Sequence, residues 1–248
     1  MPTRYYYTLF MLLALAVFLA VRQYMPKSRQ LAAIPLRHRL LLAWAILVGG
    51  ALGAKAGYLT VTDGSFFDWP AWMIDGKTVT TGLIGAYLTV ELAKFLLGIR
   101  VKTGDSYALP LALALAVGRW GCFFHGCCFG KPTDLPWGIT FHDDVPRHPT
   151  QLYEVAFHLV MAGLLGLFMY FGLLRFQLLK FYLIAYGVYR FLTEFIRPEP
   201  EWALGLTFYQ WVCLVMVLGL AVQWWLDRAL PAEPEPTESP TVEPVAIP

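Results

Sequence analysis

Charge is what this chain lacks most. Only 15% of its 248 residues are Asp, Glu, Lys or Arg, and 58% are hydrophobic. A soluble domain carries about 25% charged and about 45–50% apolar residues. The shortage excludes an ordinary water-soluble fold and leaves a mean hydropathy of +0.54. Net charge is nearly absent too, at +2. The basic residues are scattered among loops rather than gathered in a stripe, so no nucleic-acid partner is expected. Cysteine is sparse, four in all, and the C-x-x-C pair of a zinc or thioredoxin motif is missing. Adjacent cysteines such as Cys127 and Cys128 rarely bridge each other, so the thiols read as packing residues. No internal repeat is visible, which weighs against a secondary transporter.

What is present is a set of long apolar runs. A membrane span needs about 20 mostly apolar residues. Seven segments qualify, at roughly 5–24, 40–60, 81–98, 107–125, 152–174, 178–196 and 205–226. Lipid-exposed backbone has to bond internally, so all seven are expected to be helices. The predicted fold is an all-α membrane protein with seven transmembrane helices. The first run is not read as a cleaved signal, because its basic cluster (Arg22, Lys27, Arg29, Arg37, Arg39) follows the apolar stretch instead of preceding it.

The loops set the orientation. That cluster, then Arg100 and Lys102, then Arg175, and finally Arg228 fall on one side; the alternate loops hold fewer basic residues. The N-terminus is therefore expected outside and the C-terminus in the cytoplasm. Residues 1–39 form a first helix and basic cytoplasmic loop, and 40–228 the transmembrane core. The Pro- and Glu-rich 229–248 reads as a disordered cytoplasmic tail.

A cation inside a span is expensive and usually kept for function, which makes Arg119 the most informative residue here. With this topology Lys55, Arg119, Glu154, Tyr186, Arg190, Glu194 and the Thr80-Thr81-Gly82 helix start share one depth, the outer-leaflet side. Tyr186, Arg190 and Glu194 are spaced i, i+4, i+8 and form one helical stripe. The planar fork of arginine matches phosphate oxygens, so Arg119 and Arg190 point to an anionic phospholipid. An Arg–Glu pair that only ties helices together is the plainer alternative for Arg190 and Glu194. Glu91 and Lys94 read as a structural pair. Gly49, Gly53 and Gly57 read as a close helix-packing face.

Four blocks resemble the prolipoprotein diacylglyceryl transferase family, in that family's order. They are Thr80–Gly85 (T-T-G-L-I-G), Gly118–Gly130 (G-R-W-G-C-F-F-H-G-C-C-F-G), Arg147–Glu154 (R-H-P-T-Q-L-Y-E) and Tyr186–Arg197 (Y-G-V-Y-R-F-L-T-E-F-I-R). Gly53–Tyr58 and Gly205…Gln210 are similar to further segments, and the resemblance spans roughly residues 40–225. It implies a multi-pass enzyme of the bacterial inner membrane, working without a cofactor. Diacylglycerol would pass from phosphatidylglycerol to the lipobox cysteine of a prolipoprotein, with glycerol 1-phosphate leaving. Arg190, Glu194 and Tyr186 would be catalytic, with Tyr186 bonding the headgroup. Arg119, Gly130, Glu154, Gly82, Lys55 and His125 would bind substrate.

The chain departs from the family pattern at several of these positions. Thr80 stands where the family has a histidine. Cys122, His125 and Cys127 stand where it has Asn, Asn and Glu, and Lys55 where it has Arg. The general base is left open between His125 and others, with Cys127 as an alternative nucleophile. A metal bound by His125 with Cys122, Cys127 and Cys128 is not expected, because a helix end presents these groups poorly. A diverged paralogue with another acceptor, a non-catalytic lipid-binding or transport protein, and a membrane thiol oxidoreductase remain as alternatives.

Overall fold

A computed structural model of the chain describes residues 3–25, 34–61, 72 and 78–229. The tail from Pro231 and most of the Asp63–Lys77 loop lie outside the described residues. Among the described residues seven long helices follow in order: α1 (Thr3–Tyr24), α2 (Leu36–Val61), α3 (Val79–Leu96), α4 (Asp105–His125), α5 (Thr150–Tyr170), α6 (Leu178–Thr193) and α7 (Phe208–Ala229). Six are long and apolar enough to cross a membrane. The shorter α6 has 16 residues and continues into a 3-10 turn, Glu194–Ile196.

Sheet is minimal among the described residues. β1 (Ile139–Thr140) pairs antiparallel with β2 (Pro146–Arg147), Ile139 opposite Arg147. β3 (Glu201–Ala203) pairs with β4 (Leu206–Thr207).

The chain is apolar on the outside and charged within. Exposed faces carry Leu9, Leu12, Leu15 and Leu19 of α1 and Trp44, Leu47 and Leu52 of α2. Contiguous exposed apolar surface of this kind needs an apolar solvent. Helix α2 lies along α3, α1 along α4, α4 along α5, and α6 along α7. The α2–α3 contact is set by glycine, as the G-x-x-x-G spacing predicts. A Cβ on Gly53 would come within 3.0 Å of Gly85 Cα, so neither position has room for a side chain. Thr89 Oγ1 bonds the Ala45 carbonyl across this contact at 2.7 Å. A second core joins α4 to α7 through Ala108, Ala112, Leu165, Tyr182, Leu183, Met216 and Leu220.

Between α4 and α5 the chain is stitched to its neighbours by backbone bonds. Gly130 N–H donates to the His148 carbonyl at 2.8 Å, and Lys131 N–H donates to the Ile196 carbonyl at 2.7 Å. These bonds tie the end of α4, the start of α5 and the end of α6 into one corner. Gly130 is required there, since a Cβ would sit 2.7 Å from His148 Cβ and from the Ile196 carbonyl.

Candidate active site

A cavity of about 3240 Å³ runs the length of α4, lined at one end by Asp105 and at the other by Arg119 and His125. At the Arg119 end three arginines line it: Arg119, Arg190 and Arg197. All are buried, at 8%, 5% and 6% exposed. Their counter-ions stand behind them. Glu154 and Glu194 are 0% and 1% exposed and are not among the lining residues.

Each carboxylate has a defined set of partners. Glu154, in the first turns of α5, takes Arg119 Nη2 at 2.6 Å and Arg197 Nη2 at 3.2 Å. Tyr186 O–H donates to the same carboxylate at 3.1 Å, and His158 Nε2 stands 3.6 Å away. Tyr182 O–H meets His158 Nδ1 at 2.9 Å. Glu194, at the start of the 3-10 turn, pairs with Arg190 one turn earlier and accepts Thr207 O–H at 3.0 Å. Arg190 also lies over the Tyr209 ring, 5.6 Å from its centroid.

The electrostatic result is three guanidinium cations facing the cavity, with the two carboxylates they pair with behind them. Arg119 Nε and Arg197 Nε are buried and have no hydrogen-bond partner among the described residues. A donor buried in that state costs free energy unless something accepts from it. Burial and the nearby Arg190 charge push Arg197 below its usual guanidinium value, and an anion in the cavity relieves both effects. Burial raises the Glu199 carboxyl, with the Glu194 charge adding to it; Glu199 lines the same end.

The residues singled out from the sequence separate into those on the wall and those away from it. Arg119, Arg190, Gly82 and His125 line the cavity, with Thr80. Glu154, Glu194, Tyr186, Gly130 and Lys55 do not. Tyr186 was expected to meet a headgroup; it is wholly buried and its hydroxyl goes to Glu154. Lys55 is buried over the Tyr58 ring, 5.0 Å from the centroid. Glu91 and Lys94 pair at 2.9 Å.

The cysteines depart from their expected presentation. Helix α4 ends in a Schellman turn, with Cys127 N–H on the Cys122 carbonyl (3.1 Å) and Gly126 N–H on the Phe123 carbonyl (3.0 Å). Gly126 takes the left-handed conformation this turn requires, at φ 72°. The turn folds Cys127 back over Cys122, and the sulphurs of Cys122, Cys127 and Cys128 come within 4.8 Å of one another.

Three contributors were not singled out from the sequence. Arg197 was quoted only as the end of a motif, although it lies i+3 from Glu194. His158 is i+4 from Glu154 in the middle of α5, a spacing that marks one helix face. Glu199 gave no periodic signal, because it sits in a loop.

The three buried arginines on the cavity wall of this helical membrane protein present planar forks of the kind that match phosphate oxygens. The comparison with known families makes this specific. Residues 3–226 match the family model of prolipoprotein diacylglyceryl transferase, and the chain belongs to that family. It is similar to the phosphatidylglycerol–prolipoprotein diacylglyceryl transferase of Bordetella avium, with 34% identity over 87% of each chain. The protein of the same name from Polynucleobacter necessarius is 32% identical over 86% of this chain and 87% of its own. The one from Rhodospirillum rubrum is 36% identical over 77% and 76%.

Proposed function

We propose that this protein transfers a diacylglyceryl group from phosphatidylglycerol to the lipobox cysteine thiol of a prolipoprotein, a step of lipoprotein maturation. The observation that carries the reading is the placement of Arg119, Arg190 and Arg197 on the cavity wall with both of their carboxylates behind it. Family membership supplies the reaction, and the wall supplies a reason it can run here.

The chemistry is an alkylation of sulphur. The acceptor thiolate attacks the glyceryl carbon, the carbon–oxygen bond to phosphate breaks, and glycerol 1-phosphate leaves with the electron pair. Negative charge grows on the phosphate oxygens as the bond breaks. Donors fixed around that position in a low-dielectric site stabilise it without reorganising. In this reading Arg119, Arg190 and Arg197 bind the phosphate. Glu154 and Glu194 are positioning residues that hold the forks, and Tyr186 acts through Glu154. Gly82 and His125 shape the wall around the donor. Gly130 fixes the corner that holds Glu154 near Arg197, and Lys55 anchors α2 beside it.

The reading places the site at the outer-leaflet side of a bacterial inner membrane, with seven spans, the N-terminus outside and the C-terminus in the cytoplasm. The Lys and Arg bias among loops supports that orientation. The test is lipidation of a lipobox peptide by the purified protein in phosphatidylglycerol vesicles, read by mass spectrometry. A diacylglyceryl increment on the cysteine, lost in Arg119→Ala and Arg190→Ala, is the expected result. No increment from folded protein that binds phosphatidylglycerol would sink the reading.

A further inference from the structure

The arginine wall does not use the three cysteines beside it. Cys122, Cys127 and Cys128 all line the cavity and all are free thiols. Cys127 and Cys128 sulphurs are 3.5 Å apart, and Arg119 Nη1 is 3.9 Å from Cys122 Sγ. The three sulphurs lie within 4.8 Å of one another. Tetrahedral coordination at a zinc–sulphur distance of about 2.3 Å needs them about 3.8 Å apart. The difference is at most about 1 Å.

The backbone is already held in place. The Schellman turn brings Cys127 over Cys122. Cys128 is in the left-handed region at φ 64°, a conformation that is strained for a non-glycine residue. Two side chains from α5 hold it there. Thr150 O–H donates to the Cys128 carbonyl at 2.6 Å, and Gln151 Nε2 donates to the Cys127 carbonyl at 2.5 Å. Backbone strain maintained by its surroundings collects at functional sites.

We propose that Cys122, Cys127 and Cys128 form a three-thiolate site for a thiophilic divalent cation of the zinc type, whose open fourth position faces the cavity and takes the acceptor's thiol. The second half rests on the transferase reading. Thiolate ligands select zinc and other soft ions over magnesium or calcium. Three protein ligands and one open position are the arrangement of catalytic rather than structural zinc. Three thiolates and one divalent cation leave a single negative charge, beside the Arg119 guanidinium. The acceptor thiol has to lose its proton, and both Glu154 and Glu194 are committed to arginines behind the wall. A metal-bound thiol gives its proton to water, and the sulphur keeps the lone pair that forms the new carbon–sulphur bond. The metal does not change oxidation state, so no oxidant or reductant is needed.

Cobalt(II) titration of reduced, metal-free full-length protein under anaerobic conditions tests the site directly. The expected result is one cobalt per chain with sulphur-to-cobalt charge transfer and a four-coordinate spectrum, displaced by zinc. Single Cys122→Ser, Cys127→Ser and Cys128→Ser variants should each weaken binding at least tenfold, while Cys213→Ser on α7 should bind as the parent does. A lipobox peptide should perturb the cobalt spectrum, and its serine analogue should not. Absence of the charge-transfer band, or binding unchanged in the triple serine variant, overturns the site. Lipidation undiminished in that variant overturns the fourth-position role. Cobalt bound through three sulphurs in a protein that lipidates nothing supports the site and counts against the transferase reading alone.

Discussion

The two ends of the cavity hold the same kinds of charge and arrange them differently. At the Asp105 end, Lys180 pairs with Asp227, and Lys102 stands 3.4 Å from the same carboxylate. Asp105 accepts the Leu178 N–H at 2.9 Å and so ties the α5–α6 connection to α4. Asp227 and both of its lysine partners line the cavity there, so that carboxylate meets its counter-ions at the cavity surface. At the Arg119 end the two carboxylates paired with arginine stand behind the wall, while Arg119, Arg190 and Arg197 face in with Glu199 beside them. The same kinds of ion pair can therefore build a closed structural pair or an open anion site. Which one results depends on the side of the wall where the counter-ion stands.

Removing a counter-ion at each end breaks this comparison most sharply. Glu154→Gln leaves Arg119 and Arg197 buried without their carboxylate. The expected loss is about 3–5 kcal/mol of stability, the range for one partner removed from a buried pair, read as the unfolding midpoint in detergent. A loss no larger than that of Asp227→Asn would mean that the two ends are alike. Next in size is the chemistry. Arg190→Lys keeps a charge for Glu194 and loses the planar fork, so the protein should fold while turnover on a lipobox peptide falls about 100- to 1000-fold. Full turnover would leave Arg190 a purely structural ion-pair partner.

Gly53→Val separates packing from charge. A side chain against Gly85 should cost about 1–3 kcal/mol through overpacking, with phosphatidylglycerol affinity unchanged once the protein has folded. Asp227→Asn should cost about 1 kcal/mol, since its Lys102 partner is open to solvent and the Asn amide oxygen can still accept from the buried Lys180. The smallest effect concerns pH. Burial holds the Glu199 carboxyl above its ordinary value, so the folded chain binds that proton more tightly than the unfolded one. The resulting stabilisation is complete below the ordinary carboxylate value and is lost as pH rises through the raised one. Glu199→Gln should flatten that slope in melting temperatures measured from acid to neutral buffer; an unchanged slope would place its origin elsewhere.

Much of the fold was legible because a bilayer leaves few choices. Seven apolar runs became seven helices, with boundaries a few residues from those expected. The Gly49, Gly53 and Gly57 spacing became the α2–α3 contact. Arg190 with Glu194 was legible because both lie on one helix, where i, i+4 spacing fixes proximity. Arg197 was harder to see, since its partner Glu154 is 43 residues away on another helix. The approach of the three cysteine sulphurs was not legible, for a definite reason. Helical periodicity ends at His125, and the Schellman turn beyond it reverses the chain.

The sequence by itself determined that this is a helical membrane protein with charges inside its apolar segments, because apolar length and the cost of buried charge are local properties of the chain. It also carried the motifs that place it in its family. Only the tertiary structure decided which charges face the cavity. Arg119 and Arg197 share Glu154 across three elements, Tyr186 turns away from the cavity to join them, and three thiols meet beside Arg119. Those outcomes depend on how helices pack side by side, and no spacing along one helix records where its neighbour places a carboxylate.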